Sequence, residues 1–152
     1  VGDRDLLRPA LARQGMSLDF WKIAMRPGKP LIHGALGEAR ILGLPGNPVA
    51  SYVCALVFLA PLLRALQGDP KAGADRSEAA ITGSDLPANK GRRDYMRARL
   101  AIDERRRLVA TPQPLQDSSL LTELAESQAL LIREPGAPPA SKGDPCRILR
   151  LP

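Results

Sequence analysis

Residues 42–53 read LGLPGNPVASYV, two glycines, two prolines and an asparagine set directly before a long apolar run. Ala39 to Leu44 is mostly apolar and bounded by turn residues, the pattern of a short buried strand. Pro45-Gly46 punctuates it as a turn. Asn47 fits a helix N-cap, where its side-chain oxygen accepts from an amide of the first turn. Pro48 fits the first helical position, because that position needs no N–H donor and proline already holds the helical φ. The unit is therefore strand, glycine-containing turn, helix. Free amides and the positive end of the backbone dipole make such a helix start able to receive an anion. Taken alone, the same pattern describes a well-capped helix and nothing more.

Working outward, the helix is expected over 48–67, bent near Pro61 and stopped by Gly68. Upstream, Asp5 can cap a helix through Leu6 to Arg13 that closes at Gly15. Leu18 to Ala24 reads as a strand, residues 25–30 as a loop with a Pro-Gly turn, and Leu31 to His33 as another strand. Alternating helices and strands imply an α/β layer over residues 1–70. Gly68 to Gly73 reads as a linker. Beyond it, segments at 78–81, 94–102, 108–111, 129–133 and 146–151 alternate with Pro/Gly turns, and Ser119 to Glu126 reads as a brief helix. That pattern predicts a small β-barrel over residues 71–152. The fold class is thus α/β followed by all-β.

Composition excludes several classes. Aromatic residues are 3% of the 152, too few for a base-stacking platform. The net charge of +6 favours anionic partners. It is spread over both halves, nine Lys/Arg against five Asp/Glu up to Lys71 and thirteen against eleven after it. No nucleic acid partner is expected from so dispersed a charge. Arg105-Arg106-Arg107 follows two acids and reads as decoration of a hairpin turn. Cys54 and Cys146 stand apart with no CxxC spacing, and His33 is the only histidine, so no zinc site is expected among them. Val49 to Leu63 is shorter than a membrane span and contains Pro61, so no membrane partner is expected either. The chain reads as cytoplasmic. It begins at Val1-Gly2-Asp3 without an initiator methionine, which reads as a fragment.

Three loops carry candidate chemistry. Asp3 and Asp5 are paired carboxylates before a helix, suited to a divalent cation and a phosphate, or simply to the helix dipole. Arg26 and Lys29 flank a tight Pro-Gly turn, an arrangement that can hold an oxyanion. Pro45, Gly46, Asn47 and Pro48 form the third. All three loops lie at strand–helix junctions of the α/β unit, where ligands of open α/β sheets gather. With a single histidine, neither Ser51 nor Ser118 can belong to a nucleophilic triad, so electrostatic positioning is expected.

VGDRD, FWKIAMRPGKP and GLPGNPVAS, in this order and at these intervals, resemble the molybdopterin molybdenumtransferase family, MoeA and the E domain of gephyrin. The resemblance covers nearly the whole chain. It implies the C-terminal half of a molybdopterin-binding α/β domain followed by a C-terminal β-barrel, in a homodimer. It also implies an activity: insertion of molybdate into adenylylated molybdopterin with release of AMP, helped by Mg²⁺. By resemblance Asp5 and Lys29 are catalytic, and Asp3 and Asp5 hold the metal. Arg26, Pro45, Gly46, Asn47, Pro48 and Ser51 contact the pterin substrate. Arg26 stands where the family has a lysine, and Ala50 where it often has serine. GRRDYMR resembles the family's GRxxFxR block and Gln116-Asp117-Ser118 its QxS block, which adds Arg92, Arg97 and Ser118 as anion ligands. Since the family's preceding region is missing, the chain alone is expected not to complete the reaction. A non-catalytic gephyrin-like scaffold is the alternative.

Overall fold

The computed structural model describes residues 6–117 and 121–152. A first helix, α1 (Leu7–Arg13), buries no side chain and ends in a turn at Gly15. Strands β1 (Ser17–Phe20), β3 (Ile32–Leu36) and β4 (Ala39–Gly43) then form a three-stranded sheet in the order β1-β3-β4, antiparallel throughout. Alternating helices and strands usually imply parallel pairing. Here a two-residue loop at Gly37-Glu38 joins β3 directly to β4, and only antiparallel strands can be linked so tightly.

The segment read as a loop at 25–30 needs correction. Met25 and Arg26 form a short strand, β2, that leaves the first sheet and pairs in parallel with Arg93 and Asp94. The strand expected over 18–24 accordingly stops at Phe20, because the chain crosses there from one sheet to the other.

A continuous helix runs from Pro48 to Leu66. It consists of α2 (Pro48–Cys54), a π-helical stretch (Ala55–Leu59) and α3 (Ala60–Leu66). The Ala60 amide donates to the Ala55 carbonyl, one residue further back than in an α-helix. Pro61 follows immediately in the first turn of α3. Gly68, at φ +82°, ends the helix, and Arg64 pairs with Asp69 across the stop at 2.6 Å. At nineteen residues the helix matches the span expected over 48–67 to within a residue, and by length and composition it is long and apolar enough to cross a membrane. Its first half is committed elsewhere: Val49, Ala50, Val53 and Cys54 are buried.

The second half of the chain closes a barrel. Strands β5 (Glu78–Thr82), β6 (Arg93–Ile102), β7 (Leu108–Pro112), β8 (Ala129–Arg133) and β9 (Pro145–Arg150) run in the order β6-β7-β5-β9-β8, and β8 pairs back to β6. A short α4 (Leu121–Ala125) precedes β8. Ala80, Ala98, Ala110 and Ala129 with Leu131 and Ile148 fill the interior, small side chains that suit so narrow a barrel. Arg105-Arg106-Arg107 does sit in the β6–β7 turn, where Arg107 pairs with Asp103 at 2.8 Å.

A second core joins the two halves. Met25, Leu31, Val53 and Cys54 from the first pack on Tyr95 and Leu130 from the barrel's outer face. Strand β8 is therefore buried on both sides, Leu131 inward and Leu130 outward, which accounts for its unbroken apolar run.

Candidate functional site

Between the halves lies a cleft of about 1450 Å³, walled by α1, by residues 25–30, by the 43–47 turn and by Arg92 and Gln116 of the barrel. Each wall has a local cause. The 26–30 turn is pulled onto the barrel by the β2–β6 pairing. It is held from below by Cys54, whose Sγ lies 3.9 Å from the Gly28 carbonyl. Gly28 is buried at φ +110°, and a Cβ there would lie 2.5 Å from that sulfur. Only glycine meets both conditions.

The 45–48 turn is organised as the sequence suggests. Asn47 caps α2, its Oδ1 accepting from the Ala50 amide at 3.0 Å, and Pro48 opens the helix. The cap also limits the anion-binding power of this end. Pro48 has no amide, Ala50's is taken by Asn47 Oδ1, and Ser51's goes to the Asn47 carbonyl at 2.8 Å. Asn47→Ala should therefore cost about 1 kcal/mol of stability. Urea denaturation checks the value, and a change below a few tenths would remove the cap from the account.

Of the residues singled out from sequence, the structure brings Arg26, Lys29, Pro45, Gly46, Asn47 and Arg92 onto this one cleft. Pro48 and Ser51 lie just behind it in the helix. Asp3, Asp5 and Ser118 lie outside the described residues. Arg97 departs from its expected role. It sits on the outer barrel face, 2% exposed, and its guanidinium donates to the Leu115 carbonyl at 3.1 Å. Burial lowers its pKa, against the opposing pull of Glu123 and Asp117. Gln116 straps the same strand, accepting from the Arg97 amide and donating to its carbonyl, both at 3.0 Å. Arg97 thus holds residues 113–117 in place, and Gln116 is the side chain of that segment that reaches the cleft.

The electrostatics are one-sided. Arg8, Arg26, Lys29 and Arg92 line the cleft, and no carboxylate does so among the described residues. Arg26 is partly neutralised, because its guanidinium pairs with Asp94. The Asp94 carboxyl is 6% exposed and its Oδ1 has no hydrogen-bond partner among the described residues. Lys29 is exposed and has no ion-pair partner among them. Asn89 holds the loop that carries Arg92, its Nδ2 donating to the Arg92 and Glu134 carbonyls at 2.7 and 2.8 Å. No group of described His, Cys, Asp and Glu residues could hold a metal ion. Burial pushes both the Cys54 and Cys146 thiols up to about 11, so neither is a thiolate at neutral pH. The cleft can bind and orient an anion; it offers no side-chain nucleophile among these residues.

Sequence reasoning passed over Arg8 and Trp21. Both line the cleft, with the Arg8 guanidinium 4.6 Å from the Trp21 ring centroid. The signal available was the position of Trp21 just before the basic turn.

Residues 79–151 match the family model of the MoeA C-terminal region (domain IV), and residues 1–65 match that of the probable molybdopterin binding domain. The chain is 32% identical over 148 residues to the molybdopterin molybdenumtransferase of Haemophilus influenzae, covering 97% of this chain and 36% of that protein. It is 31% identical over 151 residues to the Bacillus subtilis molybdopterin molybdenumtransferase, covering 99% and 35%. The chain thus spans about a third of the length of these relatives. Gephyrin of Dictyostelium discoideum matches 45% of the chain at 31% identity, and 12% of gephyrin is covered. Among solved structures, a MoeA molybdopterin biosynthesis protein of Pyrococcus horikoshii superposes with a TM-score of 0.75 at 21% identity, over 95% of this chain and 34% of that one. A molybdenum cofactor biosynthesis protein of Pyrococcus furiosus gives 0.64 at 20%, over 96% and 54%.

Proposed function

This chain belongs to the MoeA family, of which it carries the C-terminal region, and from that premise we propose that its cleft binds molybdate and adenylylated molybdopterin for molybdenum insertion with release of AMP. The observation that carries the reading is Lys29, which has no ion-pair partner among the described residues, in a cleft with four cations and no described carboxylate. Molybdate and phosphate are both oxyanions, and a mobile ammonium beside fixed guanidinium groups suits both. Arg26, tethered by Asp94, gives direction, whereas Lys29 gives free charge.

The protein's part is positioning. Arg92 and Lys29 line the same cleft and would draw the oxyanion and the phosphate together, which lowers the entropic barrier to their reaction. Asp3 and Asp5 are the carboxylates we assign to Mg²⁺, which would offset phosphate charge when bound. The reading places the working protein in the cytoplasm as a homodimer.

Calorimetric titration of the 152-residue chain with molybdate tests this. Lys29→Ala should weaken binding about 10- to 100-fold, the range of a charge-assisted contact worth roughly 1.5–3 kcal/mol. Thermal stability should barely change, because Lys29 is exposed. Unchanged affinity in the variant would remove the oxyanion from this cleft.

A further inference from the structure

Asp94, the second residue of β6, is the only buried carboxylate among the described residues. Its Oδ2 accepts from the Arg26 guanidinium, and its Oδ1 meets no donor among them. Buried carboxylates are ordinarily compensated on both oxygens, whereas this one rests on a single cation. That cation is itself divided. The Arg26 side chain is 56% exposed and lines the cleft, so one guanidinium serves a buried carboxylate and the oxyanion space at once. The β2–β6 pairing enforces the arrangement by setting Arg26 and Asp94 in register. The other charged groups around Asp94 are engaged elsewhere. Arg133 stands opposite it on β8, and its guanidinium donates to the Pro87 and Pro138 carbonyls. Arg93, its neighbour on β6, pairs with Glu134 at 2.7 Å. Arg92 and Lys29 line the cleft beside Arg26.

From this shared guanidinium we infer that oxyanion binding at Arg26 is coupled to the uptake of one proton by Asp94. The inference rests on the oxyanion reading of the cleft. A dianion beside Arg26 draws guanidinium charge away from Asp94 and brings like charge near it. Both effects favour the neutral carboxyl, because a buried charge that loses its partner is costly. The proton comes from solvent and bonds to Oδ1, the oxygen that Arg26 does not hold. No bond forms between Asp94 and the anion. The bound chain then carries one more proton than the free chain, so affinity rises as pH falls, by about tenfold per pH unit for a full proton. Loss of that proton restores the grip of Asp94 on Arg26 and favours release of the anion.

Calorimetry reads the proton directly. The intact chain is titrated with molybdate near pH 7 and near pH 8, each time in two buffers of different ionisation enthalpy. The heats should differ between buffers by the amount that about one proton per molybdate requires, and affinity should fall roughly tenfold over that pH step. Asp94→Asn keeps the shape, takes up no proton and holds no negative charge against Arg26. Its buffer dependence should vanish, and its affinity near pH 8 should equal or exceed the parent's. Arg26→Gln answers the same question should Asp94→Asn fail to fold. With the shared cation gone, Asp94 has nothing to lose to the anion, and the proton uptake on binding should vanish there too. Molybdate binding without proton uptake, or uptake undiminished in either variant, overturns the inference and leaves the oxyanion reading standing. No molybdate binding in any buffer overturns both.

Discussion

Gly28→Ala should destabilise the chain by about 2–6 kcal/mol and abolish molybdate binding at concentrations that saturate the parent. Two separate effects add. Alanine at φ +110° is strained, by about 1–3 kcal/mol. Its methyl would also meet Cys54 Sγ at 2.5 Å in a buried site, which costs a further 1–3 kcal/mol or so as overpacking. The sulfur ends a short side chain on α2, so it cannot swing far, and Met25 crowds the same spot at 3.4 Å. The relieved structure would lift residues 26–30 off the helix and carry Lys29 away from Arg92. Chemical denaturation gives the first quantity and calorimetry the second. Adding Cys54→Ala should recover the steric part and leave the backbone part. A Gly28→Ala protein within 1 kcal/mol of the parent would mean that the turn is not packed as described.

Leu130→Ala and Leu131→Ala should each cost about 2–5 kcal/mol, since both side chains are fully buried. For a chain of this size that lowers the melting temperature by roughly 5–15 °C. Their consequences for binding should differ. Leu131 packs inside the barrel with Ala80, Ala98 and Ile148. Leu130 packs outside it, with Met25 of β2 and with Val53 and Cys54 of the helix. Truncating Leu130 therefore loosens the seat of the 26–30 turn, whereas truncating Leu131 leaves that seat alone. At a temperature where both variants are folded, molybdate affinity should fall in Leu130→Ala and hold in Leu131→Ala. Equal affinities would show that the outer core does not position the turn.

The parts of this molecule that were legible in the sequence are those set by local chemistry. Asn47-Pro48 announces its helix because a cap and a fixed φ act within one turn. The barrel strands were readable because turn residues bracket each of them, and β8 emerged at Ala129–Arg133, the range its composition suggests. Strand β2 could not be read this way. It is two residues long, and its partners lie 68 positions away, so nothing nearby in the chain signals it. The same distance hid the role of Asp94, which tethers Arg26 and so divides the labour between two neighbouring cations. Arg97 misled for another reason: the GRRDYMR block marks it as an anion ligand, but its position in β6 turns it under the 113–117 strap. Trp21 was visible as a residue and not as a wall, because its neighbour Arg8 arrives from a separate helix.

The π-helical stretch at Ala55–Leu59 alters how the helix after it is aimed. One surplus residue in the winding turns every later side chain by about 100° relative to a uniform spiral. Val53 and Cys54 pack against the barrel, whereas Leu63 and Leu66 point outward at 49% and 64% exposure. A uniform rod would have carried one stripe along a single side. This one carries two, about a quarter-turn apart, so a single piece of backbone addresses two directions without a break.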